Sequence, residues 1–363
     1  MAVRPLVEDD IPQVAQLYWT VMRERKGSAP ASLYTSIRQL YFTNPWIEKE
    51  IPSLVYDEKG KVVGFLGVVP RRMSLRGQSI RVAFGGNFTV APEFRSTLAG
   101  LRLLSTYLAG GQDLSQTDSA NDVSRALLVR LGFTTIVPLS IHWLRPLRPA
   151  RLAAYAASRL MSPGLSAAVE LIAPPLCAPL DAIAGRAASS PFRQTESSLK
   201  AEELEVETLL SCLAEFRCGR SLWPEYDSAS LKWLLDYMER MKAHGTLRKV
   251  LLRGGDGQIA GWYIYYWRRG NVAEVAQIGG PRQSTKDVLD HLFHDARGRG
   301  AIALHGVVDR SLMADFSDKN CFFTCRGGWT VAHSRNPELL AVLNSGDALL
   351  SRLDGEWCLA FGQ

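Results

Sequence analysis

The sequence lacks the marks of several large protein classes. It has six cysteines in 363 residues, with no CxxC pair and no Cys–His zinc spacing. Cys177, Cys212, Cys218, Cys321, Cys325 and Cys358 therefore read as reduced thiols. No metal site is expected. No run of about 20 uninterrupted apolar residues occurs, so no transmembrane segment is expected. The opening, MAVRPLVEDD, has no apolar signal core. Together these absences give the expectation of a cytoplasmic protein. Lys and Arg exceed Asp and Glu, 42 to 36, but no nucleic-acid motif accompanies the excess, and no nucleic-acid partner is expected.

What is present is ample apolar content, 47%, enough for buried cores, in a chain long enough for two domains. The net charge of +6 has two readings: scattered solvated arginines, or an electropositive cleft for an anionic ligand. Val3 to Leu6 reads as a strand. A helix follows from about Asp10, with Pro12 just inside and Ile11, Val14, Leu17, Tyr18 and Val21 at helical spacing. A second helix covers Ser36 to Phe42. Ser53–Tyr56 and Val62–Val69 form a hairpin around Glu58-Lys59-Gly60, and Ile80 to Val90 is the next strand. A helix over Leu101–Leu108, a strand over Leu114–Thr117, a helix over Asn121–Leu131 and strands within Thr134–Leu144 complete the first half.

Two stretches carry the chemistry. Val90 to Gly100, VAPEFRSTLAG, reads as a strand end, a turn at Pro92 and a loop entering a helix at about Ser96. A helix N-terminus offers unpaired N–H groups and partial positive charge, and small residues let backbone approach a phosphate. Then comes Asn121 to Phe133, NDVSRALLVRLGF. The segment Arg95-Ser96-Thr97-Leu98-Ala99-Gly100 resembles the pyrophosphate loop of the GNAT acyltransferase superfamily, R/Q-x-x-G-x-G/A, with Leu98 in place of the first Gly. The second stretch resembles that superfamily's N-x-x-A-x-x-x-Y-x-x-x-G-F pattern. Asn121, Gly132 and Phe133 fall on it, Ser124 replaces the Ala and Leu128 the Tyr.

The resemblance implies an α/β (α+β) fold and an acyl-CoA-dependent N-acyltransferase, with acetyl-CoA or another acyl-CoA as donor and the amine of a small molecule as acceptor. Arg95 to Gly100, with Asn121 and Ser124, would bind the cofactor. Phe88, Thr89 and Val90 of the central strand AFGGNFTV would hold the thioester with backbone N–H groups. A Tyr usually protonates the leaving thiolate in this superfamily, and Leu128 cannot. For the proton acceptor, Asp118 ends the strand LSQT beside the inferred thioester; its other reading is a cap for the helix starting near Asn121. Asn87 is the second catalytic candidate. His142 reads as a structural histidine and Glu93 as a solvated or capping carboxylate. Glu225, Tyr226 and Asp227 read as a turn or as groups reaching the cleft. Tyr263, Tyr265 and Tyr266 read as strand packing, and Asp354 and Glu356 carry no assigned role.

Composition changes at Pro146. Residues 149–199 read as an Ala/Pro-rich linker with short helices. Within it, 165–185 has a second reading as a segment meeting a membrane surface or a long acyl chain. After Glu202 the pattern restarts. YDEKGKVVGFLGVVPRR (Tyr56–Arg72) aligns without gaps with RGGDGQIAGWYIYYWRR (Arg253–Arg269), Gly60 meeting Gly257 and Gly64 meeting Gly261. A central strand over Val272–Gly279, a helix over Ser284–Arg297 and strands over Ala301–Val308 and Phe322–Val331 follow. The expected organisation is thus a cofactor-binding domain over 1–148, the linker over 149–199 and a divergent GNAT-like domain over 200–363, each domain with a mixed, mostly antiparallel central sheet flanked by helices. The tandem resembles mycothiol synthase and, more distantly, the FemABX transferases. Two alternatives stand beside the leading function: an acyl carrier protein or aminoacyl-tRNA as donor, or a degenerate GNAT-fold binding module.

Overall fold

A computed structural model of the chain describes residues 2–217, 219–325, 328–359 and 361. Cys218 lies outside the described residues. The chain divides into two compact units, 1–140 with 219–241 and 327–363, and 141–218 with 242–326.

The first unit runs through β1 (Ala2–Pro5), α1 (Ile11–Val21), α2 (Ala31–Phe42), β2 (Leu54–Glu58), β3 (Lys61–Leu75), β4 (Gln78–Val90), α3 (Ala99–Leu108), β5 (Leu114–Ala120), α4 (Asp122–Arg130) and β6 (Thr134–Thr135). The second takes β7 (His142–Pro146), α5 (Pro149–Ser158), α6 (Pro163–Arg186), β8 (Lys200–Glu203) and α7 (Val206–Glu215). The chain returns to the first unit for β9 (Leu222–Pro224) and α8 (Ser228–Arg240). It builds the second with β10 (Thr246–Arg253), β11 (Ile259–Trp267), β12 (Val272–Gly279), α9 (Thr285–Gly298), β13 (Ala303–Val307), α10 (Met313–Asp318) and β14 (Phe322–Thr324). It closes in the first unit with β15 (Trp329–His333) and α11 (Pro337–Ser345).

Each unit is an α/β layer structure around a mixed sheet, as the sequence predicts. The first sheet has the order β1-β2-β3-β4-β5-β15-β6, with β9 on β3. Its pairs are antiparallel except β4 with β5. The second has the order β14-β7-β13-β12-β11-β10-β8, antiparallel except β12 with β13. The aligned segments occupy equivalent hairpins, β2–β3 and β10–β11. Both turns use glycine in the left-handed region, Gly60 at φ 84° and Gly257 at φ 80°, where a side chain would be strained.

The domain boundaries differ from the expected 1–148, 149–199 and 200–363. Thr134–Leu144 does not finish one sheet. β6 stays in the first, whereas β7 pairs with β13 and β14 in the second. The expected strand Phe322–Val331 likewise splits, β14 joining β7 and β15 inserting between β5 and β6. Each sheet is completed by a strand from the other half of the sequence. Edge strands carry unpaired N–H and C=O groups, and pairing with whichever strand covers them satisfies both.

The expected linker is also different. Residues 149–199 belong to the second unit and form α5 and the 24-residue α6 rather than only short helices. No membrane span was expected, yet α6 has an 18-residue window of mean hydropathy 1.5, long and apolar enough to cross a membrane by length and composition, and only 6% of that window is buried.

On one face of the first sheet, Val63, Leu66, Ala83, Leu103, Leu104 and Phe133 form a core with α3 and α4; Val82, Phe84, Leu114 and Leu343 form one on the other. In the second unit Trp143, Tyr263, Leu289, Phe293 and Phe316 pack together. Burying each such side chain contributes about 1.5–3 kcal/mol. Asp10 stands at the start of α1 as expected but does not cap it with its side chain. Its carboxylate accepts from Arg4 at 2.7 Å and from the Val7 N–H at 3.0 Å, tying β1 to the helix entry.

Candidate active site

The site of the first unit follows from how β4 is paired. β4 and β5 run parallel only from Val82 opposite Leu114 to Phe84 opposite Gln116. On the other side of β4, Phe65 pairs with Thr89 and Gly67 with Gly86. Asn87 and Phe88 thus stand opposite the single residue Leu66, a β-bulge that bends the strand. Asn87 takes φ 52°, a left-handed conformation that asparagine accepts more readily than most residues. Its amide donates to the Tyr41 hydroxyl at 2.9 Å.

Between the bulged end of β4 and the end of β5 lies a cleft. Gly85 to Phe88 form one wall, Gln116, Thr117, Ser119 and Ala120 the other, and Asn121, Ser124 and Leu128 of α4 close one end. Asn121 is the N-cap of α4, its Oδ1 accepting from the Ser124 N–H at 2.8 Å.

Among the described residues that line the cleft the one carboxylate is Glu356, which follows α11. Its Oε1 accepts from the Thr117 hydroxyl at 2.5 Å and from the Ser119 hydroxyl. Its Oε2 is buried without a hydrogen-bond partner. A Cβ at position 86 would collide with that oxygen, so Gly86 makes room for the carboxylate. Burial and then the neighbouring charge of Asp118 push the Glu356 carboxyl up to about 8, against the two hydroxyl donors. Asp118 itself is pushed up to about 6 by burial, with Arg352 and the backbone N–H groups of Glu356 and Trp357 opposing.

The geometry places the two carboxylates differently from the sequence reading. Asp118, expected beside the thioester, is not among the residues lining the cleft; its Oδ2 lies against the backbone of Gly355, where a Cβ would strike it. Nor does it cap α4, a place Asn121 takes. Glu356, given no role from sequence, occupies the cleft. The signal that would have found it is the contact between β5 and the C-terminal segment, which no local pattern encodes.

Of the other expected site residues, Asn87, Phe88, Asn121 and Ser124 line the cleft. Thr89 is buried, its hydroxyl donating to the Asn87 carbonyl at 2.9 Å, and Val90 packs at the edge of the core. The helix after the loop starts at Ala99 rather than Ser96. Arg95, Ser96, Thr97 and Leu98 are exposed ahead of it, Ala99 is buried and Gly100 is half-buried. A Cβ at Gly100 would stand 3.2 Å from the Phe88 ring.

Leu128 lines the cleft at the position where the resemblance would place a tyrosine. Tyr107 also lines it, but its hydroxyl donates to the Ala83 carbonyl at 2.6 Å. His142 lies in β7 of the second unit, buried and stacked on His305 at 5.1 Å. Glu225, Tyr226 and Asp227 line a different pocket of the first unit, with Trp46 and Glu48.

At the corresponding end of β12 the space is taken by the protein itself. A Cβ at Gly279 would overlap the Trp262 ring, and one at Gly280 the backbone of Ala260 and Gly261.

Residues 2–110 match the family model of an acetyltransferase (GNAT) domain. No curated protein matches the chain in sequence. Among solved structures, the chain is similar to a conserved protein of unknown function from Enterococcus faecalis V583, with TM-score 0.59 and 10% identity over 92% of this chain and 72% of that one. It is similar to a GCN5-related N-acetyltransferase from Anabaena variabilis, with TM-score 0.58 and 13% identity over 93% and 73%. It is also similar to Saccharomyces cerevisiae N-myristoyltransferase solved with myristoyl-CoA and inhibitors, with TM-score 0.54 and 11% identity over 91% and 79%. The bulged β4 thus lies within a segment that matches an acetyltransferase (GNAT) domain, and the fold of the chain is that of GCN5-related N-acetyltransferase structures.

Proposed function

We propose that the first unit transfers an acyl group from an acyl-CoA to the amine of a small molecule in the β4–β5 cleft, with Glu356 accepting the amine's proton. The GNAT domain match over residues 2–110 supports acyl transfer. The observation that carries the proton-transfer assignment is the Glu356 carboxylate itself, lining the cleft with Oε2 unpartnered and its pKa raised to about 8.

The chemistry runs from these residues. An alkyl amine is protonated at pH 7, and making it neutral costs roughly 4 kcal/mol. A carboxylate whose proton affinity is raised toward neutrality takes that proton with less penalty than one at its ordinary value. Thr117 and Ser119 hold Glu356 from Oε1 and leave Oε2 with an unused lone pair for the amine's proton. The open backbone of Gly85 to Phe88 provides N–H groups along the wall where a thioester carbonyl would lie. The residues present also fit the donor's phosphates: exposed Arg95 and the N-terminus of α3 supply positive charge and free donors. Bound acyl-CoA would supply the activated carbonyl. Asp118 acts one step removed, its charge raising the proton affinity of Glu356.

Calorimetric titration with acetyl-CoA, followed by thiol release with a panel of small amines, tests the reading. Wild type binds and turns over, and Glu356→Gln binds acetyl-CoA normally while turnover falls about 100-fold or more. Absence of acetyl-CoA binding by the wild type would remove the donor assignment. Undiminished turnover in Glu356→Gln would remove the base.

A further inference from the structure

Helix α6 leaves a long apolar surface uncovered in the second unit. At 100° per residue, Leu165, Val169, Ile172, Leu176, Leu180 and Ile183 fall within one arc of about 80°. Leu165, Ile172, Leu176, Leu180 and Ile183 are 54–67% exposed. The side facing α5 is different. There Asp181 is buried, accepts from the Ala150 N–H at 2.8 Å and pairs with Arg151 at 3.9 Å. The Arg297 guanidinium donates to the Asp181 carbonyl at 3.2 Å. The helix is thus anchored to its unit along a polar seam, and its apolar stripe faces outward.

Charge says what the stripe fits. Between residues 159 and 193 the exposed ions are Arg159, Arg186 and Arg193, with Glu170 on the side away from the stripe. Positive groups near both ends of an apolar face complement a surface with anionic headgroups over hydrocarbon. The net charge of +6 acts in the same sense.

The prolines decide how deep such a helix can lie. Pro174, Pro175 and Pro179 are inside α6, and each lacks the N–H that would bond the carbonyl four residues earlier. At the bilayer centre those carbonyls would have no water, a cost of several kcal/mol each. At the interface water reaches them. Breaks in the ladder also work against the regular knobs-into-holes packing that a second copy of this helix would need.

We propose that α6 lies in the surface of an anionic lipid bilayer, with its Leu/Ile stripe in the acyl region and Arg159 and Arg186 among the headgroups. Flotation of the full-length protein with vesicles tests it, using phosphatidylcholine alone and phosphatidylcholine mixed with phosphatidylglycerol. The protein floats with the mixed vesicles, and raised salt weakens that binding. Leu176→Asp with Leu180→Asp lowers it about tenfold or more, with the circular dichroism spectrum unchanged. Arg159→Glu with Arg186→Glu weakens binding to the mixed vesicles only; this pair keeps the apolar stripe intact and tests the proposal if the Asp variant fails to fold. A wild type that floats with neither vesicle, or a folded Asp variant that floats as the wild type does, overturns it. So does a dimer in size-exclusion chromatography that the Asp variant converts to a monomer, which would make the occupant a second copy.

Discussion

Glu356 makes a prediction that needs no substrate. In the folded chain its carboxyl is raised from 4.5 to about 8. Between those values the unfolded chain has released the proton and the folded chain holds it, so folding binds a proton and stability falls as pH rises through the window. The contribution is fully present below the unfolded value and lost above about pH 8. At about 1.36 kcal/mol per unit the whole shift is worth at most about 5 kcal/mol, and because even buried sites respond as a medium more polar than a dry interior, about half of that is the expectation. Glu356→Gln keeps an acceptor for Thr117 and Ser119 but cannot ionise. In urea unfolding at pH 5, 7 and 9, the gap between the variant and the wild type should therefore change with pH in the variant's favour by about 2–3 kcal/mol. Asp118→Asn removes the neighbouring charge and should make the loss smaller and complete it at lower pH, because Glu356 then ionises more easily. A gap that stays constant with pH, or that moves in the wild type's favour as pH rises, would refute the placement of Glu356 in a desolvated site beside Asp118.

Other consequences are accessible to single measurements. If Glu356 is the base, turnover at saturating substrate should rise with pH toward about 8, and in Asp118→Asn the rise should move to lower pH rather than disappear; loss of turnover at all pH values would make Asp118 the base after all. Gly100→Leu should weaken acetyl-CoA binding severalfold by calorimetry, because its Cβ stands 3.2 Å from the Phe88 ring and displaces the cleft wall; binding equal to wild type would separate this helix start from the cofactor. Trp143→Ala should destabilise the second unit by about 3–5 kcal/mol, since the ring is 1% exposed and stacks on Phe316 at 4.6 Å. Asp10→Ala should lower the melting temperature by several degrees by leaving the Val7 N–H without its acceptor and Arg4 with Asp57 as its remaining carboxylate.

Local rules were enough to read the elements from the sequence. The start of α4 at Asn121 is one case: its side chain accepts from the Ser124 N–H at 2.8 Å, a contact within one turn that residue type and spacing encode. The turn glycines Gly60 and Gly257 are another, since only local φ decides them. The β4 strand and the loop at Arg95 to Gly100 were legible for the same reason.

Strand partners and the identity of the base were not. Whether β7 or β15 completes a given sheet depends on which exposed edge meets it, and both strands offer the same kind of hydrogen-bonding backbone. A sequence read from one end to the other assigns each to its nearest neighbours, and the fold exchanges them. Glu356 reaches the cleft through that exchange: β15 brings the C-terminal segment beside β5, setting the carboxylate on Thr117 and Ser119, more than two hundred residues back along the chain. Composition and periodicity determined that this chain makes two αβ layers. Only tertiary structure decided which carboxylate the cleft would hold, because desolvation and the charge that faces a group belong to its surroundings rather than to its neighbours in sequence.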